Sequence, residues 1–240
     1  MTAVLNGSKH NREIDRQFRW TEQFVEVSVF LFLIVPSMAL SFFAVKQGSL
    51  SFALVAIATI LRDLALVSLV LFFLWRNSEP IDRIGWTFRN GRSDIALAVG
   101  LFILLFLGSS LLESALKAAG LSAPSTPLPS FLAGKGIAES LLASVMVIIV
   151  AFAEETIFRG YLILRFKAIT GNSTAAILLS AVIFSLGHGY EGSAGVITVG
   201  VMGLVFALVY VWRQSLVAPM VMHFFQDFIS IILLPIVGMK

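Results

Sequence analysis

Six ionisable residues, on three separate apolar stretches of the sequence, have the types and spacing needed to activate a water molecule. They are Glu154, Glu155 and Arg159 in "AEETIFR", His188 at the end of "FSLGH", and His223 and Asp227 in "HFFQD". An ionisable group at membrane depth costs ~3 kcal/mol on insertion scales. Such a concentration of charge in apolar sequence therefore indicates a functional site.

Helical spacing separates the two glutamates. Glu155 and Arg159 are i,i+4 neighbours and can pair on one face of a helix. Glu154 points ~100° away around the helix axis, so Arg159 cannot readily hold both carboxylates. The spacing therefore predicts one paired carboxylate, Glu155, and one free carboxylate, Glu154. His223 and Asp227 are also i,i+4 neighbours and present two polar groups from one helix face.

A free carboxylate and two imidazoles in a pocket of low dielectric constant can activate water. The carboxylate can act as a general base, while an imidazole orients the water or donates to a developing oxyanion. Glutamate and histidine are also standard zinc ligands. Zinc is therefore a candidate cofactor, with Glu154, His188, His223 and Asp227 as its candidate ligands.

The composition indicates how these residues are positioned. Of the 240 residues, 58% are hydrophobic and 13% are charged, against about 25% charged in soluble domains. We expect an all-α, polytopic transmembrane helix bundle that forms a single membrane domain over 1–240. Seven apolar stretches approach or exceed the ~20 residues that a span needs: 24–45, 51–75, 94–119, 137–168, 173–189, 193–212 and 216–237. Cysteine is absent, which excludes disulfides, cysteine-bound zinc and a thiol nucleophile.

The basic residues predict the orientation of the chain. If the polar segment 1–23 is cytoplasmic, most of the basic residues lie on or near the inner side of the membrane. Only four are then predicted on the outer side: Lys46, Lys117, Lys135 and Lys240. The inner set is Lys9, Arg12, Arg16, Arg19, Arg76, Arg83, Arg89, Arg92, Arg165, Lys167 and Arg213. This asymmetry follows the positive-inside rule. We expect a multi-pass protein of a bacterial-type plasma membrane with a cytoplasmic N-terminus; the net charge of +3 then reflects topology, with no nucleic acid as partner.

The depths of the site residues impose one condition on the bundle. Glu154 lies ~21 Å and His188 ~22 Å from the predicted inner ends of their helices, but His223 lies only ~12 Å along the last helix. The three side chains can meet only if the fourth and fifth helices extend beyond the membrane surface or tilt.

Other polar and small residues in the spans have simpler interpretations. Arg62 and Asp63 are adjacent and are predicted to form a local charge pair. Glu113 lies near a helix end and is predicted to be interfacial. Gly195, Gly200 and Gly203 are predicted to allow close helix packing, as small residues do in membranes.

At its ionisable residues the sequence resembles the CPBP family of intramembrane proteases, named for CAAX proteases and bacteriocin-processing enzymes. The family motif Glu-Glu-x-x-x-Arg matches Glu154, Glu155 and Arg159, and Phe-x-x-x-His matches Phe184 and His188. The motif His-x-x-x-Asn or Asp matches His223 and Asp227.

The resemblance implies hydrolysis of a peptide bond within the membrane by the helices of 137–237. It makes Glu154 the base, assisted by His188, with Glu155 and Arg159 orienting it. It makes His223 and Asp227 stabilise the oxyanion, although Asp227 can donate only when protonated. The implied substrate is a peptide or protein, prenylated for some family members, and both a glutamic and a metalloprotease mechanism stay open.

Other functions compete with this interpretation. Intramembrane glutamates and histidines also mark ion or proton relays, so a coupled transporter is an alternative. A catalytically inactive scaffold or immunity protein is another. Ser193 with His223 would suggest a rhomboid-type dyad, but that dyad leaves Glu154 and His188 without a role.

Overall fold

The protein is an all-helical bundle. The computed structural model describes residues 20–36, 38, 51–123 and 136–237, and these contain no β-strand. Seven helices lie in these ranges: α1 (20–36), α2 (Phe52–Arg76), α3 (Gly91–Ala118), α4 (Gly136–Thr170), α5 (Ser173–Leu186), α6 (Gly192–Arg213) and α7 (Val217–Leu233, extended by Leu234–Val237). The predicted fold class and the predicted seven helices are confirmed.

Four of these helices are long and apolar enough to cross a membrane: α2, α3, α4 and the segment Gly189–Arg213 that contains α6. The helices α5 and α7 are apolar but shorter. Many large apolar side chains, such as Phe32 and Leu111, lie exposed on the outside of the bundle. A soluble protein rarely exposes so much apolar surface. The chain is an integral membrane protein.

Two predicted boundaries differ from the structure. The segment 1–23 was expected to be a polar extension, but residues 20–23 already belong to α1. Residues 1–19, and 39–45 at the end of the first predicted span, lie outside the described residues. The fifth helix ends at Leu186 because Gly187 and the turn that follows interrupt it before the predicted 189.

The helix α4 occupies the centre of the bundle. It packs against α2 along its length and also contacts α5 and α7. In its middle, the eight residues Glu155–Leu162 are all buried and form π-helical turns. Because these eight residues are covered on every side, the charged residues among them must find partners inside the protein.

The connection between α2 and α3 sets the depth at which α7 begins. It contains the short 3₁₀ turn Ile81–Ile84, followed by Gly85 at a φ of 83°. The Leu216 amide, at the start of α7, donates to the Gly85 carbonyl oxygen at 3.0 Å. Gly160 of α4 approaches the same turn so closely that an added Cβ would lie 2.7 Å from the Ile84 oxygen. The start of α7 is therefore level with Gly160.

This arrangement brings the site residues of α4 and α7 to one level. The helix α4 continues for ~15 Å beyond Gly160 to its end at Thr170, so it extends well past the start of α7. Counted from that common level, Glu155 and His223 lie ~8 and ~10 Å away in the same direction. The two side chains reach the same level because α7 begins inside the bundle.

A buried ion network joins α1, α2 and α4 at the end of the bundle that holds Arg76 and Arg165. We call it the basic-end network, and it consists of Glu26, Arg76, Asn77, Glu79, Tyr161 and Arg165. Glu26, 1% exposed, accepts hydrogen bonds from Arg76 and from the Asn77 amide. Arg165 lies 3.3 Å from Glu26 and donates to Glu79 at 2.6 Å.

We expect Glu26→Gln to destabilise the protein. Removing one partner of a buried ion pair costs about 3–5 kcal/mol, and without the charge of Glu26 the network keeps only Glu79 to balance Arg76 and Arg165. Thermal unfolding of the purified protein in detergent measures the change. The matched control is Glu113→Gln, since Glu113 forms an exposed pair with Lys117 at 2.6 Å and such pairs contribute about 0–1 kcal/mol. Equal unfolding temperatures for the two variants would show that the network is not stabilising.

Candidate active site

The site is built on the π-helical segment of α4. π-Helical turns are rare and often occur at functional sites, because they displace the regular i→i−4 hydrogen bonds. The Thr156 hydroxyl donates to the Phe152 carbonyl at 2.7 Å and accepts from the Trp86 indole at 3.1 Å. These contacts fix the start of the segment, where the two glutamates lie.

Glu155, Arg159 and His223 form a buried chain of hydrogen bonds. The Arg159 Nη1 atom donates to Glu155 Oε1 at 2.8 Å, so the pair expected from the spacing is present. The His223 Nδ1 atom lies 2.8 Å from the same oxygen. Because a carboxylate can only accept, Nδ1 carries the proton of this bond. His223 is therefore held with its Nε2 atom towards the rest of the site.

Three aromatic rings surround the Arg159 guanidinium. Its Cζ atom lies 4.1, 5.2 and 6.0 Å from the ring centroids of Phe184, Phe206 and Phe158, respectively. Its Nη2 atom donates to the Gly203 carbonyl at 3.4 Å. Cation–π contacts offset part of the cost of removing this cation from water. The helices α4, α5 and α6 are thus held around one charge.

Unlike Glu155, Glu154 forms no ion pair with Arg159 among the described contacts. Its side chain is 15% exposed, and its Oε2 atom accepts no hydrogen bond from the described residues. The His223 Nε2 atom lies 3.9 Å from Glu154 Oε2 and 3.4 Å from Asp227 Oδ2. Two of the predicted site residues, Glu154 and Asp227, therefore converge on His223 Nε2.

His188 borders this group without a hydrogen bond to Glu154 in the described part of the chain. Its Nδ1 atom lies 3.2 Å from the Phe184 carbonyl oxygen, which can only accept, so this nitrogen is the donor. The Phe184 ring contacts both imidazoles, at centroid distances of 5.0 Å for His188 and 5.9 Å for His223. The expected convergence therefore includes His188 at the edge of the site and leaves its Nε2 atom available.

The predicted zinc ligands are not grouped around a common point in this structure. Within 20–36, 51–123 and 136–237, no three His, Asp or Glu side chains are placed to hold a metal ion.

Sequence reasoning missed the proximity of Asp63 to the site. The pair with Arg62 is present, with both Arg62 Nε and Nη2 at 2.9 Å from Asp63 Oδ1. Asp63 is also buried, and it lies on α2 between Ala56 and Val67, which belong to buried clusters containing Val147 and Ala153 of α4, respectively. Helical spacing could have indicated that Asp63 is buried. It lies on the same face of α2 as four other buried residues: Ala56, Val67, Val70 and Leu74.

A comparison with protein families bears on this site. Residues 137–229 match the family described as type II CAAX prenyl endopeptidase Rce1-like. This segment is similar to that family. It contains all six predicted site residues, whereas α1, α2 and α3 lie outside the match. No curated protein and no solved structure matches the chain.

The Rce1-like match confirms the resemblance found in the sequence. It supports a CAAX-type intramembrane protease in general, with the lipid bilayer and a peptide substrate as its partners. The rhomboid-type dyad gains no support, because the Ser193 hydroxyl is hydrogen-bonded at 3.0 Å to the Ser122 amide and lies 3.0 Å from the Ser122 hydroxyl.

An apolar groove lies between α4 and α7 of the Rce1-like segment, beside the site. Its volume is about 330 Å³. It is lined by Ile148, Ala151, Phe152, Met220, Val221 and Phe224. The last of these directly follows His223 in the sequence and precedes Asp227 by about one turn.

We expect Gly203→Ala to disturb the site. A methyl group there would lie 2.9 Å from Phe184 Cδ1 and 3.3 Å from Arg159 Nη2, and such overpacking costs about 1–3 kcal/mol. The matched control is Gly200→Ala, on the same helix, where the added Cβ meets Ser185 at an ordinary 3.4 Å. Thermal unfolding in detergent should show a lower midpoint for Gly203→Ala than for Gly200→Ala. Equal midpoints would mean that close packing at Gly203 is unimportant.

Proposed function

We propose that the protein is a CAAX-type intramembrane endopeptidase in which Glu154 activates the attacking water. The observation that carries this proposal is the free Glu154 Oε2 atom beside His223 Nε2. Their separation of 3.9 Å is too long for a direct hydrogen bond. A gap of this size between two polar atoms is suited to a bridging water.

In the proposed reaction, Glu154 carries one proton from the attacking water to the leaving nitrogen. Glu154 takes a proton from the water as the water oxygen attacks the carbonyl carbon of the peptide bond. The carbonyl oxygen becomes an oxyanion, and His223, protonated at Nε2, donates to it. As the tetrahedral intermediate collapses, Glu154 returns the proton to the leaving nitrogen, and the two peptide products separate.

Glu155 and Arg159 act in this proposal through His223. The Glu155 carboxylate accepts from Nδ1 and so fixes the ring, while Arg159 neutralises that carboxylate. This role differs from the one implied by the family resemblance, in which the two residues orient Glu154. Asp227, at 3.4 Å, balances the charge at Nε2. His188 uses its available Nε2 atom to bind the peptide backbone.

The apolar groove supports a substrate that carries an apolar group. Lined by six apolar side chains, it suits a prenyl chain or the apolar side chains of a membrane-borne peptide. Either substrate would enter from the bilayer, bringing its peptide bond beside Glu154.

We expect Glu154→Gln to abolish cleavage. The substitution keeps the size of the side chain but removes the general base, a contribution of typically 10²–10⁴-fold in rate. Mass spectrometry of membrane and released peptides from cells with the wild type or the variant would reveal peptides whose cleavage depends on Glu154. Unfolding temperature and accumulation in the membrane should match the wild type.

Glu113→Gln provides the control for this experiment. Glu113 is another membrane-region glutamate, but it is paired on the surface with Lys117, so its replacement should leave cleavage intact. Peptide patterns that are identical in the wild type and in Glu154→Gln would refute the proposed role of Glu154.

We also expect cleavage to survive removal of metal ions. The described His, Asp and Glu side chains form no metal-holding group, so dialysis against a chelator should leave the rate of the purified protein within about twofold of its starting value. Loss of activity with the chelator, and recovery on adding zinc, would instead establish a metalloprotease.

A further inference from the structure

Arg62 places a partly exposed cation at membrane depth. It lies ~15 Å along α2 from the start of that helix and ~21 Å from its end. About half of its side chain, 49%, is exposed. Charged residues within a membrane span are costly and usually serve a function, with a partner that can be named.

Asp63 holds only one edge of the Arg62 guanidinium. Adjacent residues on a helix do not face each other, so the Arg62 side chain must bend around the helix to reach Asp63. Both of its contacting nitrogens, Nε and Nη2, lie 2.9 Å from the single oxygen Oδ1. The Asp63 side chain is 2% exposed, and its Oδ2 atom has no hydrogen-bond partner in the described residues.

The pair lies beside the proposed base. Asp63 lies on α2 between Ala56, which shares a buried cluster with Met146 and Val147 of α4, and Val67, which shares one with Ala153 and Ile157 of α4. This packing puts Asp63 at the level of Ala153 and Glu154. The other cation of the site, Arg159, is buried and engaged by Glu155 and by the Gly203 carbonyl. In the described part of the site, Arg62 is therefore the cation that a ligand can reach.

We propose that Arg62 forms a subsite for a carboxylate of the substrate peptide, next to Glu154. The subsite rests on the proposed peptidase function. A guanidinium presents a planar set of donors that matches a carboxylate in two parallel hydrogen bonds. The carboxylate is either the C-terminus of the peptide or an acidic side chain near the bond that is cleaved.

The position of Arg62 is not explained by a role in neutralising Asp63 alone. A cation needed only for that purpose would bury its guanidinium against the carboxylate and would satisfy both oxygens. Here Asp63 Oδ2 stays unpartnered while half of the Arg62 side chain is exposed. Asp63 instead fixes the direction of Arg62, and a bound carboxylate positions the peptide relative to Glu154.

The test compares matched peptides. A peptide whose cleavage depends on Glu154 is synthesised with a free C-terminus, as a C-terminal amide, and with each Asp or Glu replaced by Asn or Gln. The kcat/KM of each is measured with the full-length protein in liposomes. We expect the wild type to prefer one carboxylate-bearing form over its neutral counterpart by about tenfold or more, the scale of a charge-assisted hydrogen bond. The form that shows the preference distinguishes a terminal from a side-chain carboxylate.

In Arg62→Gln, this ratio should fall to about one. Because that variant leaves Asp63 buried without its partner, Arg62→Gln/Asp63→Asn is measured as well; it keeps the net charge and should lose the preference equally. The control variant Lys117→Gln removes a surface cation elsewhere and should keep the wild-type preference for the carboxylate-bearing peptide. A wild type without any carboxylate preference, or a preference that survives in both Arg62 variants, would overturn the subsite. Cleavage that persists in Glu154→Gln would overturn the proposed function instead, and with it the basis of the subsite.

Discussion

The buried contact between Arg159 and Glu155 is the constraint on which the rest of the site depends. A charge removed from water must be paired, or the protein does not tolerate it. Arg159 meets this requirement with one carboxylate, one backbone carbonyl and three aromatic rings. These partners come from α4, α5 and α6, so a single cation determines how three helices approach each other. Glu155 then extends the constraint to α7 through His223.

Both helices that carry the polar residues change their winding at the site. In α4 the π-helical segment begins at Glu155, and in α7 a second one, Phe228–Leu233, begins directly after Asp227. π-Helical turns disturb regular backbone hydrogen bonding and are maintained when the surrounding packing requires them. The altered winding thus coincides with the acidic residues of both helices.

Sequence spacing predicted the contacts within single helices and missed those between distant residues. The Glu155–Arg159 pair follows from helical periodicity alone, as does the isolation of Glu154. Glu26 gave no such signal, because it lies in an apolar stretch and its partners, Arg76 and Arg165, come from other helices. The position of Asp63 beside Glu154 likewise depends on how α2 packs along α4. No periodicity in the sequence indicated the π-helical turns or the hydrogen bond from His188 to the Phe184 carbonyl.

The contact between the turn at Ile84 and Gly85 and Leu216, the residue before α7, has an evolutionary consequence. Surface connections between helices commonly accept insertions and deletions. Here the Gly85 carbonyl holds Leu216, and an added or lost residue in the turn would move one end of α7 relative to α4. A displacement of one helical residue, ~1.5 Å, exceeds what the 2.8 Å bond between His223 and Glu155 can absorb. The connection between α2 and α3 lies outside the matched segment, where variable length would be expected. Its length should nevertheless vary little among relatives.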